Sequence, residues 1–144
     1  MPGGLTDPVI GFSTFAAVKF IGYTALTIRM KKSYPEAGVS AFTLGLTRTG
    51  IGVAFGFAYG LATTMVITAI PSLGAVPWIS FLLYAGLYPV RLLEWWILIW
   101  FFLDRTAKNP ASRRRWRHVG TWCSYALDIP ALAGFLATGG LWIC

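Results

Sequence analysis

Four long apolar runs, separated by short polar breaks, dominate the pattern of this sequence. They cover residues 9–28, 47–70, 77–103 and 120–143 to within a few positions, with an alternative start for the second near Val39. A transmembrane helix needs about 20 mostly apolar residues. Each run is long enough, so each is predicted to be a membrane-spanning helix. The first break, residues 29–46, holds Lys31, Lys32, Pro35 and Gly38. The second, residues 71–77, begins and ends on proline and carries no charge. The third, residues 104–119, holds Asn109-Pro110 and the run Arg113-Arg114-Arg115-Trp116-Arg117-His118. The predicted fold is all-α: one integral membrane domain over residues 1–144, built as a four-helix bundle.

The basic residues give this bundle an orientation. Arg29, Lys31, Lys32 and Arg48 flank the first break, and Arg105, Lys108, Arg113, Arg114, Arg115 and Arg117 fill the third. The second break and both ends of the chain carry no Lys or Arg. Four spans put the first and third breaks on one side, which the positive-inside rule makes cytoplasmic. Both termini are then outside. Trp78 and Trp142 fall near the outer interface, and Trp100, Trp116 and Trp122 near the inner one, as aromatic belts require. Arg113, Arg114, Arg115 and Arg117 are expected to bind anionic lipid headgroups. Arg48 is expected to pair with Asp104 at the cytoplasmic edge.

Composition narrows the class further. Of 144 residues, 56% are hydrophobic and only 12% charged, and Gln is absent. A typical soluble domain has roughly 25% charged residues. This balance excludes a disordered chain and argues against a soluble domain. The net charge of +7 would suggest nucleic acid in a soluble protein. Here it sits in two connections, so the partners expected are the bilayer and its headgroups, and no nucleic acid. The first eight residues lack the basic residue of a secretory leader, so the first run is expected to stay in the chain. The inner (plasma) membrane of a cell is the expected location.

Glycines supply a packing face. Gly52, Gly56 and Gly60 recur every fourth residue and share one side of the second run. Such a face lets another helix approach closely. Its partner is either the small residues of the fourth run (Ala126, Ala133, Gly134, Ala137) or a second copy of the chain.

Charges inside the apolar runs carry the functional question. Each costs about 2.5–3.5 kcal/mol at the centre of a spanning helix. Lys19, Glu94 and Asp128 each lie ten residues from Arg29, Asp104 and His118 respectively. At 1.5 Å per residue that is about 15 Å from the cytoplasmic edge. Arg91 lies one turn further out and can pair with Glu94 three residues on. The four charges sum to zero, so they are expected to form a neutral cluster at mid-membrane. Lys19 should face Asp128, Glu94 or both. Tyr59, Tyr88 and Tyr125 could reach the cluster, and Trp95 could wall it from lipid.

Catalytic and metal motifs are missing. The sequence has no H-E-x-x-H, no G-x-S-x-G and no phosphate-binding loop, and one His with two Cys cannot complete a zinc site. No cofactor, metal site or catalytic residue is expected. The leading functional reading is a non-enzymatic accessory, assembly or structural component, working alone, with itself or with another membrane protein. The alternative is a small oligomeric transporter or permeation pathway using Lys19, Arg91, Glu94 and Asp128. A lipid-active enzyme comes third. A reporter fused after Cys144 should read as non-cytoplasmic; a cytoplasmic signal would overturn the four-span topology.

Overall fold

The structure, a computed structural model, describes residues 8–74 and 78–138, with side chains over 13–74, 78–79 and 81–129. Five helices follow one another: α1 (Pro8–Lys31), α2 (Ala41–Ala69), α3 (Pro71–Gly74), α4 (Ile79–Phe102) and α5 (Pro110–Thr138). The described residues contain no strand. Trp142 and the start of the third predicted run at Pro77 lie outside the described residues, as do the side chains of Ala133, Gly134 and Ala137.

Two helices begin earlier than the apolar runs indicate, and capping explains both. Ser40 is extended, and its hydroxyl accepts the Thr43 N–H at 3.0 Å. That satisfies one of the orphan donors of the first turn. Hence α2 starts at Ala41 rather than 47. Asn109 does the same for α5, accepting the Ser112 N–H at 3.1 Å. Pro110 follows at the first helical position, where its missing N–H costs nothing. The arginine run, expected in a loop, is therefore helical. The remaining connection from α4 is short. Asp104 braces it by accepting the N–H groups of Lys108 at 2.8 Å and Asn109 at 3.2 Å. Ala107 takes a left-handed φ of 55° there.

The four long helices form a closed ring in the order α1, α2, α4, α5, each packed on the next. The pairs Lys19–Asp128, Tyr23–Ser124 and Ser33–Trp116 step in opposite directions along α1 and α5, so these two are antiparallel. An apolar cluster of Tyr23, Met30, Tyr34, Leu44, Trp95, Leu98 and Ile99 fills the half of the ring nearest the α1–α2 and α4–α5 connections. Pro89 interrupts α4. It has no N–H for the Ala85 carbonyl. The adjoining carbonyls of Leu83 and Tyr84 accept the hydroxyls of Tyr59 (2.7 Å) and Tyr125 (3.2 Å).

The outside of the ring is apolar. Phe42, Phe57, Met65, Phe81, Phe101, Trp122 and Ile129 are all exposed. Among the described residues two segments are long and apolar enough to cross a membrane: α2, and Phe81–Phe102 of α4. That is two segments rather than the four expected, counted among the described residues alone.

Close approach falls on Gly52 of the expected series and on glycines outside it. Gly52 is buried, Gly56 half-buried, and Gly60 has no neighbour within 4 Å. A Cβ on Gly45 would strike Thr24 of α1, and one on Gly120 would strike the Trp95 indole of α4. Trp95 is fully buried and its Nε1–H is held by Ser124, so the ring has nowhere to move. Gly120→Ala should therefore cost about 1–3 kcal/mol through overpacking. Gly60→Ala should stay within about 0.5 kcal/mol. Thermal unfolding of the two variants in detergent checks the contrast; equal midpoints would contradict the packing.

Candidate functional site

Each long helix brings at least one ionisable side chain to the middle of the ring. Lys19 comes from α1, Arg48 from α2, Arg91 and Glu94 from α4, and Asp128 from α5. All five are 0–4% exposed. They form one connected ladder. Lys19 Nζ lies 2.6 Å from Asp128 Oδ1. Arg91 reaches Asp128 Oδ2 at 3.3 Å and Glu94 Oε2 at 3.1 Å. Arg48 reaches Glu94 Oε2 at 2.5 Å. Each carboxylate thus sits between two cations, and Arg91 joins the halves.

The structure brings together the four charges singled out by depth, and adds a fifth. Arg48 does not pair with Asp104. It is two turns inside α2, because the Ser40 cap starts that helix at Ala41. Asp104 instead holds the α4–α5 connection, lying 3.8 Å from Arg113 Nε, whose guanidinium also donates to the Asp104 carbonyl. The capping pair Ser40 and Thr43 was the sequence signal that would have placed Arg48 inside. Among the described residues the cluster, with Arg48, contains three cations and two carboxylates.

Aromatic faces and one serine also contact the cations. The Arg48 guanidinium carbon lies 4.7 Å from the Tyr23 ring centre and 4.9 Å from that of Trp95. Ring faces carry partial negative charge and attract a desolvated cation. Lys19 Nζ sits 4.3 Å from the centre of Phe15. Ser124 Oγ accepts from Arg48 (3.1 Å), Trp95 Nε1 (3.0 Å) and Tyr23 Oη (3.3 Å), and donates to the Gly120 carbonyl (3.0 Å). One hydroxyl therefore divides two lone pairs among three donors. Tyr23 and Ser124 have no charge, so depth counting passed over them.

Gly52 makes room for the guanidinium groups. A Cβ there would lie 3.0 Å from an Arg48 terminal nitrogen and 3.6 Å from one of Arg91. Beside it, Lys19, Tyr23, Thr49, Gly52 and Phe15 line a cavity of about 10 Å³. That is room for a single water.

The supporting aromatic residues divide. Trp95 is part of the cluster. Tyr59 and Tyr125 bond to α4 carbonyls, and Tyr88 bonds to His118 Nδ1 at 3.2 Å. None of these three tyrosines donates to a ladder carboxylate in the described contacts. The arginine run also divides. Arg113 braces Asp104 and Arg115 stands over Trp116, while Arg114 is exposed and Arg117 half-buried. At the same end of the ring, burial and the nearby Asp104 charge push the Tyr34 phenol up to about 12. No group of three or more metal-ligating side chains occurs among the described residues.

Chemically, this arrangement favours fixed pairing. Removing one partner of a buried pair typically costs 3–5 kcal/mol, because the other charge is left behind. Lys19→Met should fall in about that range. The double variant Lys19→Met/Asp128→Asn should lose about 0.5–3 kcal/mol less than the sum of the single losses. Reversible unfolding in mixed micelles measures all three; additive losses would mean the two side chains do not interact.

Compared with known protein families, curated proteins and solved structures, this chain has no match.

Proposed function

We propose that this chain is a non-enzymatic multi-pass protein of the inner (plasma) membrane. In this reading α1, α2, α4 and α5 each cross the bilayer, with both termini outside and both basic connections in the cytoplasm. It acts through helix contacts, as an accessory or assembly component of a larger membrane complex.

One observation carries the reading: the single buried ladder that ties all four long helices together. A ladder of this kind sets which helices are neighbours and at what register. A register role is the best-attested use of buried charge. The apolar exterior supports the membrane half of the proposal. Soluble monomers rarely expose contiguous apolar patches beyond a few hundred Å², whereas exposed large hydrophobics here occur on all four long helices.

The transport reading asks more of the same residues. Glu94 and Asp128 each hold two cations already, so a transported ion would first have to displace one. The two readings separate on Glu94→Gln. Loss of folded protein supports the assembly role, and folded protein that has lost flux would replace it with transport.

Purification of tagged protein from its native membrane in mild detergent, followed by native mass spectrometry, tests the central claim. The expected result is a fixed stoichiometry with a different membrane protein. A homo-oligomer or a monomer as the only species would overturn the accessory role.

A further inference from the structure

The α4–α5 pair has a second face, turned away from the ladder. Phe81, Tyr84 and Tyr88 of α4, with Trp122, Tyr125 and Ile129 of α5, line an open groove of about 670 Å³. Its walls are almost wholly apolar. Phe81 is 71% and Trp122 64% exposed, so nothing in the chain covers it among the described residues. Tyr84 and Tyr125 meet edge to face with centres 5.1 Å apart, and Tyr88 and Trp122 lie 6.1 Å apart, which gives the groove firm aromatic walls.

The groove ends in positive charge. On α5 the lining residues Trp122, Tyr125 and Ile129 belong to a face that continues at helical spacing to His118 and then Arg114. At this end Tyr88 meets His118 Nδ1 at 3.2 Å. When the Tyr88 hydroxyl donates to Nδ1, the proton of the imidazole sits on Nε2, which can then donate outward. Arg114 is one turn further on and exposed. Asp104, the nearest carboxylate in the connection, is taken up by Arg113 and two backbone N–H groups. An apolar aromatic trough closed at its cytoplasmic end by an imidazole and a guanidinium matches a molecule with a hydrocarbon tail and an anionic head.

We propose that this groove binds one anionic phospholipid of the inner leaflet. An acyl chain lies along Tyr84, Trp122 and Tyr125, and the phosphate meets His118 and Arg114. The proposal rests on the membrane reading above. It goes beyond a general attraction of the arginine run for headgroups, because it names a site on one face of one helix pair.

Trp122 serves as the reporter. The protein is reconstituted in phosphatidylcholine vesicles containing a small fraction of brominated phosphatidylglycerol or, separately, brominated phosphatidylcholine. Bromine quenches tryptophan on contact. The contribution of Trp122 is the difference between wild type and Trp122→Phe. Quenching of Trp122 by the anionic lipid should exceed that by the zwitterionic lipid several-fold at equal mole fraction. Each basic residue at an anionic surface is worth about a fivefold preference. Arg114→Gln should therefore lower the selectivity about fivefold, and Arg115→Gln, on the neighbouring face, should change it much less.

Equal quenching of Trp122 by both lipids would mean an ordinary lipid-facing surface and overturn the site. Quenching of the other tryptophans with none at Trp122 would mean protein covers the groove, and would overturn it too. No quenching of any tryptophan by either lipid would bring down the membrane reading itself, a result distinguishable from failure of the site alone.

Discussion

The cost of burying charge without a partner governs this structure. Five ionisable side chains lie within the ring of helices, and each has its opposite within reach. Because the pairs share members, they are not independent. Arg91 and Glu94 share α4, so a shift of α4 would disturb the Arg91–Asp128 contact with α5 and the Glu94–Arg48 contact with α2 together. Glu94 in turn holds Arg48 on α2, and Asp128 holds Lys19 on α1. An alternative order of helices would separate at least one charge from its partner. A charge buried without its partner is costly. The ladder therefore discriminates against wrong arrangements more strongly than it stabilises the right one.

Apolar packing and small residues make the ladder sterically feasible. Arginine is the bulkiest of the buried charges, and two guanidinium groups meet near α2. Gly52 supplies the space, since any side chain there would crowd them. Gly120 does the same for Trp95, which covers one side of Arg48 while Tyr23 approaches another. Arg48 is thus held by the ring faces and the Ser124 hydroxyl as well as by Glu94. The polar centre and the aromatic core are one unit, with Tyr23 and Trp95 belonging to both.

The sequence displayed the part of this that depends on one-dimensional distance. Lys19, Glu94 and Asp128 stand at equal depth because a helix rises uniformly, and Arg91 faces Glu94 because they are three apart. Arg48 was misread for a physical reason. Its place beside a basic connection matches a topology signal, and only the helix start at Ala41, set by Ser40, carries it inward. The boundary at Pro110 was hidden in the same way, since arginines at a helix start lack the apolar period that marks a span. The packing glycines were harder still. Gly45 and Gly120 matter because of what stands opposite, Thr24 and Trp95, and opposition across helices leaves no mark on local spacing. The regular Gly52-Gly56-Gly60 series was conspicuous, yet Gly52 faces the ladder guanidinium groups while Gly60 faces open space.

The two faces of the α4–α5 pair connect the interior to the surface. Residues 120, 124 and 128 of α5 point toward the ladder, and residues 118, 122, 125 and 129 line or extend the groove. Both sets belong to one rigid helix, so the spacing that suits Arg91 and Asp128 also sets the width of the groove. Pro89 lies between the two functions on α4. The carbonyls beside its break are met by Tyr125 from the groove wall and by Tyr59 from α2. Tyr125 therefore belongs both to the groove wall and to the contacts that hold the backbone of α4, the helix of Arg91 and Glu94.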